Sequence, residues 1–221
     1  RVFVNGHYAG GWDYGYMAFR VDATPFIEPG EPNLITVQAS TWQHHSRWYP
    51  GAGIFREVNL VVENPVHVAH WGVSITTPEV SLEEAKVDVA VELVNHTGED
   101  QELMLEVTLI DPEGRAVEHA RSDVAIRESG RFVKDLRFTL DEPSLWDVEH
   151  PLLYQAQIDV EANGVTLDTV TESFGIRWFR FTPDDGFHLN GRRVQLKGVN
   201  LHHDLGPLGG AYHSRARERQ L

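Results

Sequence analysis

The chain has 221 residues, 41% of them hydrophobic and 24% charged, with a formal charge of −14 and no cysteine. That is a globular composition with length enough for a sizeable core, and its acidic balance excludes nucleic acid and anionic membrane surfaces as partners. Disulfides, thiol catalysis and cysteine-ligated metals are excluded too, and no apolar run reaches the roughly 20 residues of a membrane helix.

In chain order, Arg1 runs straight into the strand-like Val2-Phe3-Val4, and a chain that opens inside a strand predicts further sequence upstream. Asn5-Gly6 follows and supplies the two positive-φ residues of a type I′ hairpin turn, as Asn163-Gly164 and Asn190-Gly191 do farther on. Residues 1–64 are rich in glycine and aromatics, with breaks at Glu28-Pro29-Gly30-Glu31-Pro32 and Asn64-Pro65. Within them, residues 41–56 gather Trp42, His44, His45, Arg47, Trp48, Tyr49 and Arg56 around Pro50-Gly51. Aromatic faces beside hydrogen-bonding side chains suit a sugar, which offers an apolar C–H face and a rim of hydroxyls. The same rings also read as loop or core packing, which needs no ligand.

From residue 65 to 176 the period is two. Val87, Val89, Val91 and Leu93 alternate with Lys86, Asp88, Ala90 and Glu92; Leu103, Leu105, Val107 and Leu109 repeat the pattern, as do Tyr154, Ala156, Ile158 and Val160. Such runs bury one face and wet the other. About seven strands with turns between them, one at Asp111-Pro112-Glu113-Gly114, predict an immunoglobulin-like β-sandwich.

Residues 177–221 differ in kind. After the turn Thr182-Pro183-Asp184-Asp185-Gly186, a hairpin over 187–194 leads into Gln195-Leu196-Lys197-Gly198-Val199-Asn200, read as a strand. A glycine-rich loop and a helix from Ser214, read as its N-cap, complete half of a βαβ unit. Asn200, His202 and Asp204 stand where that strand ends, the position at which α/β barrels keep their sites, and they can orient a polar ligand; a plain polar loop fits the same residues. His202-His203-Asp204 also offers metal-ligand types, but adjacent histidines on extended backbone point to opposite faces, so no metal is expected. Neither a Gly-x-Ser-x-Gly elbow, a Walker loop nor a His-Glu-x-x-His pair occurs, and no carboxylate pair identifies itself, so no catalytic residue and no cofactor are assigned.

Read together, the segments resemble glycoside hydrolase family 2, the family of β-galactosidases and β-glucuronidases. Val4-Asn5-Gly6-His7-Tyr8-Ala9-Gly10-Gly11 is similar to its Val-Asn-Gly…Val-Gly hairpin, and Phe19-Arg20-Val21-Asp22-Ala23-Thr24 with Pro29-Gly30-Glu31-Pro32-Asn33 to its Asp-x-Thr…Gly-Glu-Asn passage. Ser46-Arg47-Trp48-Tyr49-Pro50-Gly51 through Arg56 resembles the segment that ends the sugar-binding jelly roll. Leu145-Trp146 through Leu153-Tyr154, and Phe174-Gly175-Ile176-Arg177, resemble two stretches of its immunoglobulin-like domain. Phe187 through Asn190-Gly191, with Leu196-Lys197-Gly198-Val199-Asn200-Leu201-His202, resembles the opening of its catalytic barrel. The likeness spans essentially the whole chain in the family's order.

The resemblance implies a mainly-β chain in three parts: the latter part of a jelly-roll sugar-binding domain (1–64), an immunoglobulin-like β-sandwich (65–176), and the first βα half-unit of a TIM barrel (177–221). It implies a retaining β-glycosidase, most similar to β-galactosidases, acting on a carbohydrate partner. His202 matches a histidine of the pocket for the non-reducing sugar, Asn200 supports that loop, Arg47 lies on the segment reaching toward the barrel mouth, and Asp204 follows. The family's two catalytic glutamates lie farther along the barrel, so inactivity of these residues alone is expected. Leu201 and His203-Asp204-Leu205-Gly206 depart from the usual galactosidase run. A non-catalytic carbohydrate-binding or interaction module is the other reading, and open apolar edges of partial domains predict self-association or mobile ends.

Overall fold

The computed structural model describes residues 1–40, 53–54, 56–201 and 205–220. The chain divides into two compact units, one formed by Arg1–Leu60 with Val199–Leu221 and the other by Val61–Gly198.

The first unit contains β1 (Val2–Val4), β2 (His7–Gly10) and β3 (Ile35–Val37), an antiparallel sheet in the order β2-β1-β3. Asn5 and Gly6 turn β1 into β2 at φ 50° and 83°, the left-handed pair that a type I′ turn requires. Asn5 also binds the distant loop. Its Nδ2 donates to the Phe26 carbonyl at 2.9 Å and to Asn33 Oδ1 at 2.8 Å, and its Oδ1 accepts from the Leu34 amide at 2.9 Å. Asn33 in turn donates to the carbonyls of Glu28 and Glu31, which fixes the proline-glycine turn between them.

The second unit carries the sandwich. Its seven strands are β4 (Val66–Val80), β5 (Glu84–Asn95), β6 (Gln101–Ile110), β7 (Ala116–Ile126), β8 (Arg131–Asp141), β9 (Tyr154–Ala162) and β10 (Val165–Phe174). They form two antiparallel sheets, β4-β5-β8 and β10-β9-β6-β7. The inward residues named from the alternation form the core: Val87, Val89, Val91 and Leu93 from one sheet meet Leu105, Val107, Leu109, Ala156, Ile158 and Val160 from the other, all at 0–1% exposure. The fourth strand is placed by its turn. Asp111 accepts from the amides of Glu113 and Arg115 and from the Arg115 guanidinium, closing a short hairpin that keeps β7 beside β6 instead of beside β8. The result is a three-plus-four sandwich with the fourth strand in the opposite sheet from that of the constant-type immunoglobulin pattern.

The start of β9 shows a tyrosine corner. Tyr154 is buried at the end of the β8–β9 connection, and its hydroxyl accepts from the Ser144 amide at 2.9 Å.

A smaller antiparallel sheet follows: β11 (Phe179–Thr182), β12 (Gly186–Leu189) and β13 (Arg192–Arg193), with Asn190 and Gly191 at φ 48° and 80° in the β12–β13 turn. Two expectations are corrected beyond it. Residues 195–200, read as a strand, form no ladder and are exposed, because no described strand lies beside them to pair with. The helix α1 (Ser214–Glu218) has His213 as its N-cap: His213 is extended, its carbonyl accepts from the amides of Ala216 and Arg217, and Ser214 is already helical.

Candidate functional site

Of the four residues expected to face substrate, the structure describes Asn200, which is exposed on the irregular segment leading away from the small sheet. Arg47, His202 and Asp204 lie outside the described residues, as does most of the aromatic segment 41–56. Asn200 and the segment after it pack within the same unit as residues 1–60. In that unit Trp12, Tyr14 and Tyr16 are exposed about Asp13, with the two tyrosine rings 5.9 Å apart, an aromatic surface that sequence reading did not single out.

The small sheet that precedes this segment is anchored within the second unit. The Asn190 side chain donates to the Trp146 carbonyl at 3.0 Å and accepts from the Trp178 amide at 3.1 Å, while its own amide donates to the Trp178 carbonyl at 2.9 Å. A left-handed asparagine thus serves as turn and as clasp. Trp146 packs under Gly175, where an added Cβ would lie 3.0–3.1 Å from three of its side-chain atoms, and Arg177 stands 4.8 Å over its ring. The chain therefore leaves the sandwich through a fixed exit.

On the same sheet sits an acid–imidazole pair. Asp185 accepts from the Thr182 hydroxyl and lies 3.1 Å from His188 Nε2. The Thr182 hydroxyl holds the Asp185 carboxyl below its usual range; burial pushes it up by less, and His188 and then Arg193 add to the lowering. His188 is buried, and its Nδ1 has no hydrogen-bond partner among the described residues. No serine or threonine hydroxyl is described beside that nitrogen to act as a nucleophile, so the pair reads as a local brace. Among the described residues no group of three or more His, Asp or Glu side chains is placed to hold a metal ion.

The structure also brings out a feature that sequence reading missed. Between Val68 and Val73, five steps along β4 oppose the two steps from Leu93 to Val91 on β5, so His70, Trp71 and Gly72 bulge outward. Trp71 is 77% exposed at φ +54°, and its ring stacks on His70 at 4.4 Å and 28°. The clue in the sequence was the loss of strict alternation at Ala69-His70-Trp71-Gly72 inside an otherwise strand-like run.

Comparison with known proteins matches this architecture throughout. The sequence profile described as glycosyl hydrolases family 2 matches residues 66–177, the sandwich and its exit. A β-galactosidase of Bacteroides ovatus is 39% identical over the whole chain, which spans 26% of that protein. A β-glucuronidase of Bacteroides fragilis is 30% identical over the whole chain, which spans 33% of it. The crystal structure of a glycosyl hydrolase family 2 member from Bacteroides cellulosilyticus superposes with a TM-score of 0.92 at 32% identity, covering 99% of this chain and 30% of that one. The chain thus spans about a quarter to a third of the length of these curated relatives.

Proposed function

The chain belongs to glycosyl hydrolases family 2, and from that membership we propose that it forms the scaffold and part of the sugar pocket of a retaining β-glycosidase of β-galactosidase type. The observation that carries the galactoside reading is the 39% identity to a β-galactosidase over the full chain, against 30% to a β-glucuronidase. Retaining hydrolysis uses two carboxyl groups about 5–5.5 Å apart, one protonating the glycosidic oxygen while the other attacks the anomeric carbon. On this reading those carboxylates belong to a catalytic barrel of which residues 177–221 are the opening. His202 and Asn200 then present hydrogen-bonding groups to the hydroxyls of the non-reducing sugar, with Asp204 beside them and Arg47 reaching in from the jelly-roll segment of residues 1–64. The clasp at Asn190 supports the scheme by fixing where the chain leaves the sandwich.

The experiment is to express the complete reading frame that contains this chain and to compare aryl β-galactoside with aryl β-glucuronide. Galactoside turnover is expected, with His202→Ala lowering kcat/KM about 10–100-fold, the worth of one lost hydrogen bond to substrate. The 221-residue chain alone is expected to give no turnover, since general acid catalysis by itself is worth about 10²–10⁴ in rate. Preference for the glucuronide overturns the galactoside reading, and turnover by the chain alone overturns the placement of the carboxylates.

A further inference from the structure

The bulge of β4 is costly for the fold to keep. A bulky aromatic at φ +54° is an outlier, because the left-handed region penalises every residue with a Cβ and favours glycine or asparagine. The backbone at this point is nonetheless over-determined. A Cβ on Gly72 would fall 2.6 Å from the Ala69 carbonyl oxygen and 2.9 Å from that of Glu92, so the bulge is pressed against β5 and holds one conformation. At its base the Val68 amide, which turns away from β5, donates to Asp168 Oδ2 at 2.8 Å. Asp168 itself stands at an irregularity in the β10–β9 register. Val68 is 4% exposed and Ala69 7%, whereas Trp71 two residues on is 77% exposed. The fold therefore spends strain and a special register on holding one indole in solvent, with His70 stacked against it to set its orientation.

We propose that Trp71, oriented by His70, is a platform that binds neutral pyranose rings of a glycan, a role distinct from hydrolysis. An indole face exposed in a fixed orientation is complementary to the axial C–H face of a pyranose, and the sugar's hydroxyls remain in water. Charge selects the class of glycan. The chain carries −14, and the Arg131 guanidinium on the strand beyond β5 is already paired with Glu92 at 2.7 Å, which disfavours a polyuronate or sulfated chain. A polymeric neutral glycan held at Trp71 keeps its ends near the enzyme that trims them. This inference rests on the glycoside reading above for its choice of ligand class.

The test separates platform from fold. The 221-residue chain is run through native gels containing soluble neutral galactan, neutral β-glucan or polygalacturonate, beside Trp71→Asn and Trp71→Phe. The wild type is expected to be retarded by a neutral glycan and not by the uronate, Trp71→Asn to lose the retardation, and Trp71→Phe to retain part of it. Trp71→Asn places a residue suited to φ +54°, so its Tm is expected to equal or exceed that of the wild type. Absence of retardation in the wild type, equal retardation of Trp71→Asn, or a lowered Tm in Trp71→Asn would each overturn the platform, the last by making the indole a structural element. A wild-type dimer that Trp71→Asn converts to monomer in sedimentation velocity overturns it as well, in favour of contact between copies. Galactoside turnover by the complete reading frame is measured separately, so an active enzyme without glycan retardation sinks the platform and leaves the catalytic reading standing.

Discussion

Asn190 and Trp146, 44 residues apart in sequence, are joined by a 3.0 Å hydrogen bond from the asparagine side-chain amide to the tryptophan carbonyl. The bond ties the last hairpin to the loop between the fifth and sixth strands of the sandwich, and two further bonds to Trp178 complete the clasp. Asn190→Ala removes both side-chain bonds and places a Cβ-bearing residue of poor left-handed propensity in the turn. A loss of about 2–3 kcal/mol in urea unfolding is expected. Asn190→Gly restores the backbone preference but not the bonds, and about half that loss is expected from it.

Tyr154→Phe keeps the ring, including its contact with Phe174 at 5.7 Å, and removes only the hydroxyl that accepts from the Ser144 amide. That leaves a part-buried donor without its acceptor, at a cost of about 1–2 kcal/mol by chemical denaturation. An unchanged midpoint would show that water replaces the hydroxyl.

Two glycines are set by close approach. At Gly72 a Cβ meets backbone oxygens that have no room to retreat, and at Gly175 it meets the Trp146 side chain. Gly72→Ala is expected to cost about 2–3 kcal/mol and Gly175→Ala about 1–2 kcal/mol, the range for overpacking a filled site. Gly175→Ala should also change the near-ultraviolet circular dichroism of Trp146, since it displaces that ring.

Acid should unfold the sandwich through a small set of carboxylates. Burial pushes Asp111 up, but the Arg115 amide and guanidinium and the Glu113 amide outweigh it and hold the carboxyl below its ordinary 3.8. The Arg137 guanidinium does the same for Asp88, and the amides of His150 and Glu149 for Asp147. Depressed carboxyls stabilise the folded state fully above the ordinary value and lose that contribution as pH falls through their folded values. Tm is therefore expected to be level from pH 7 to about 5 and to drop below about 4. Asp111→Asn should lower Tm at neutral pH and flatten the acid limb.

The parts of this architecture legible in the sequence are those set by neighbours along the chain. All three Asn-Gly pairs adopt left-handed φ at both residues, because a two-residue hairpin turn is decided within four positions. Val87 to Leu93 and Leu103 to Leu109 point inward as their alternation predicts. What escaped reading depends on distant pairing. The turn at Asp111 is local, but which sheet β8 joins after it is not, and the bulge at Trp71 exists only against the register of β5. Residues 195–200 have the composition of a strand, yet ladder bonds need a partner that no local pattern supplies. Asn200 was singled out for its place at the end of that run and is found exposed there; the role of His202 falls to the kinetic test, and Arg47 and Asp204, like His202, lie outside the described residues.

The bond from Val68 to Asp168 bears on how the sandwich behaves in crowded solution. It closes one corner of the two sheets, β4 against β10, while β7 and β8 meet at the other. Open strand edges are where proteins recruit further strands, and here β8 adds the charges of Arg131, Lys134, Asp135 and Arg137 along its length. The sandwich is thus a terminated tile: it can be stacked or strung to other bodies through its loops and faces, but its sheets offer little to extend.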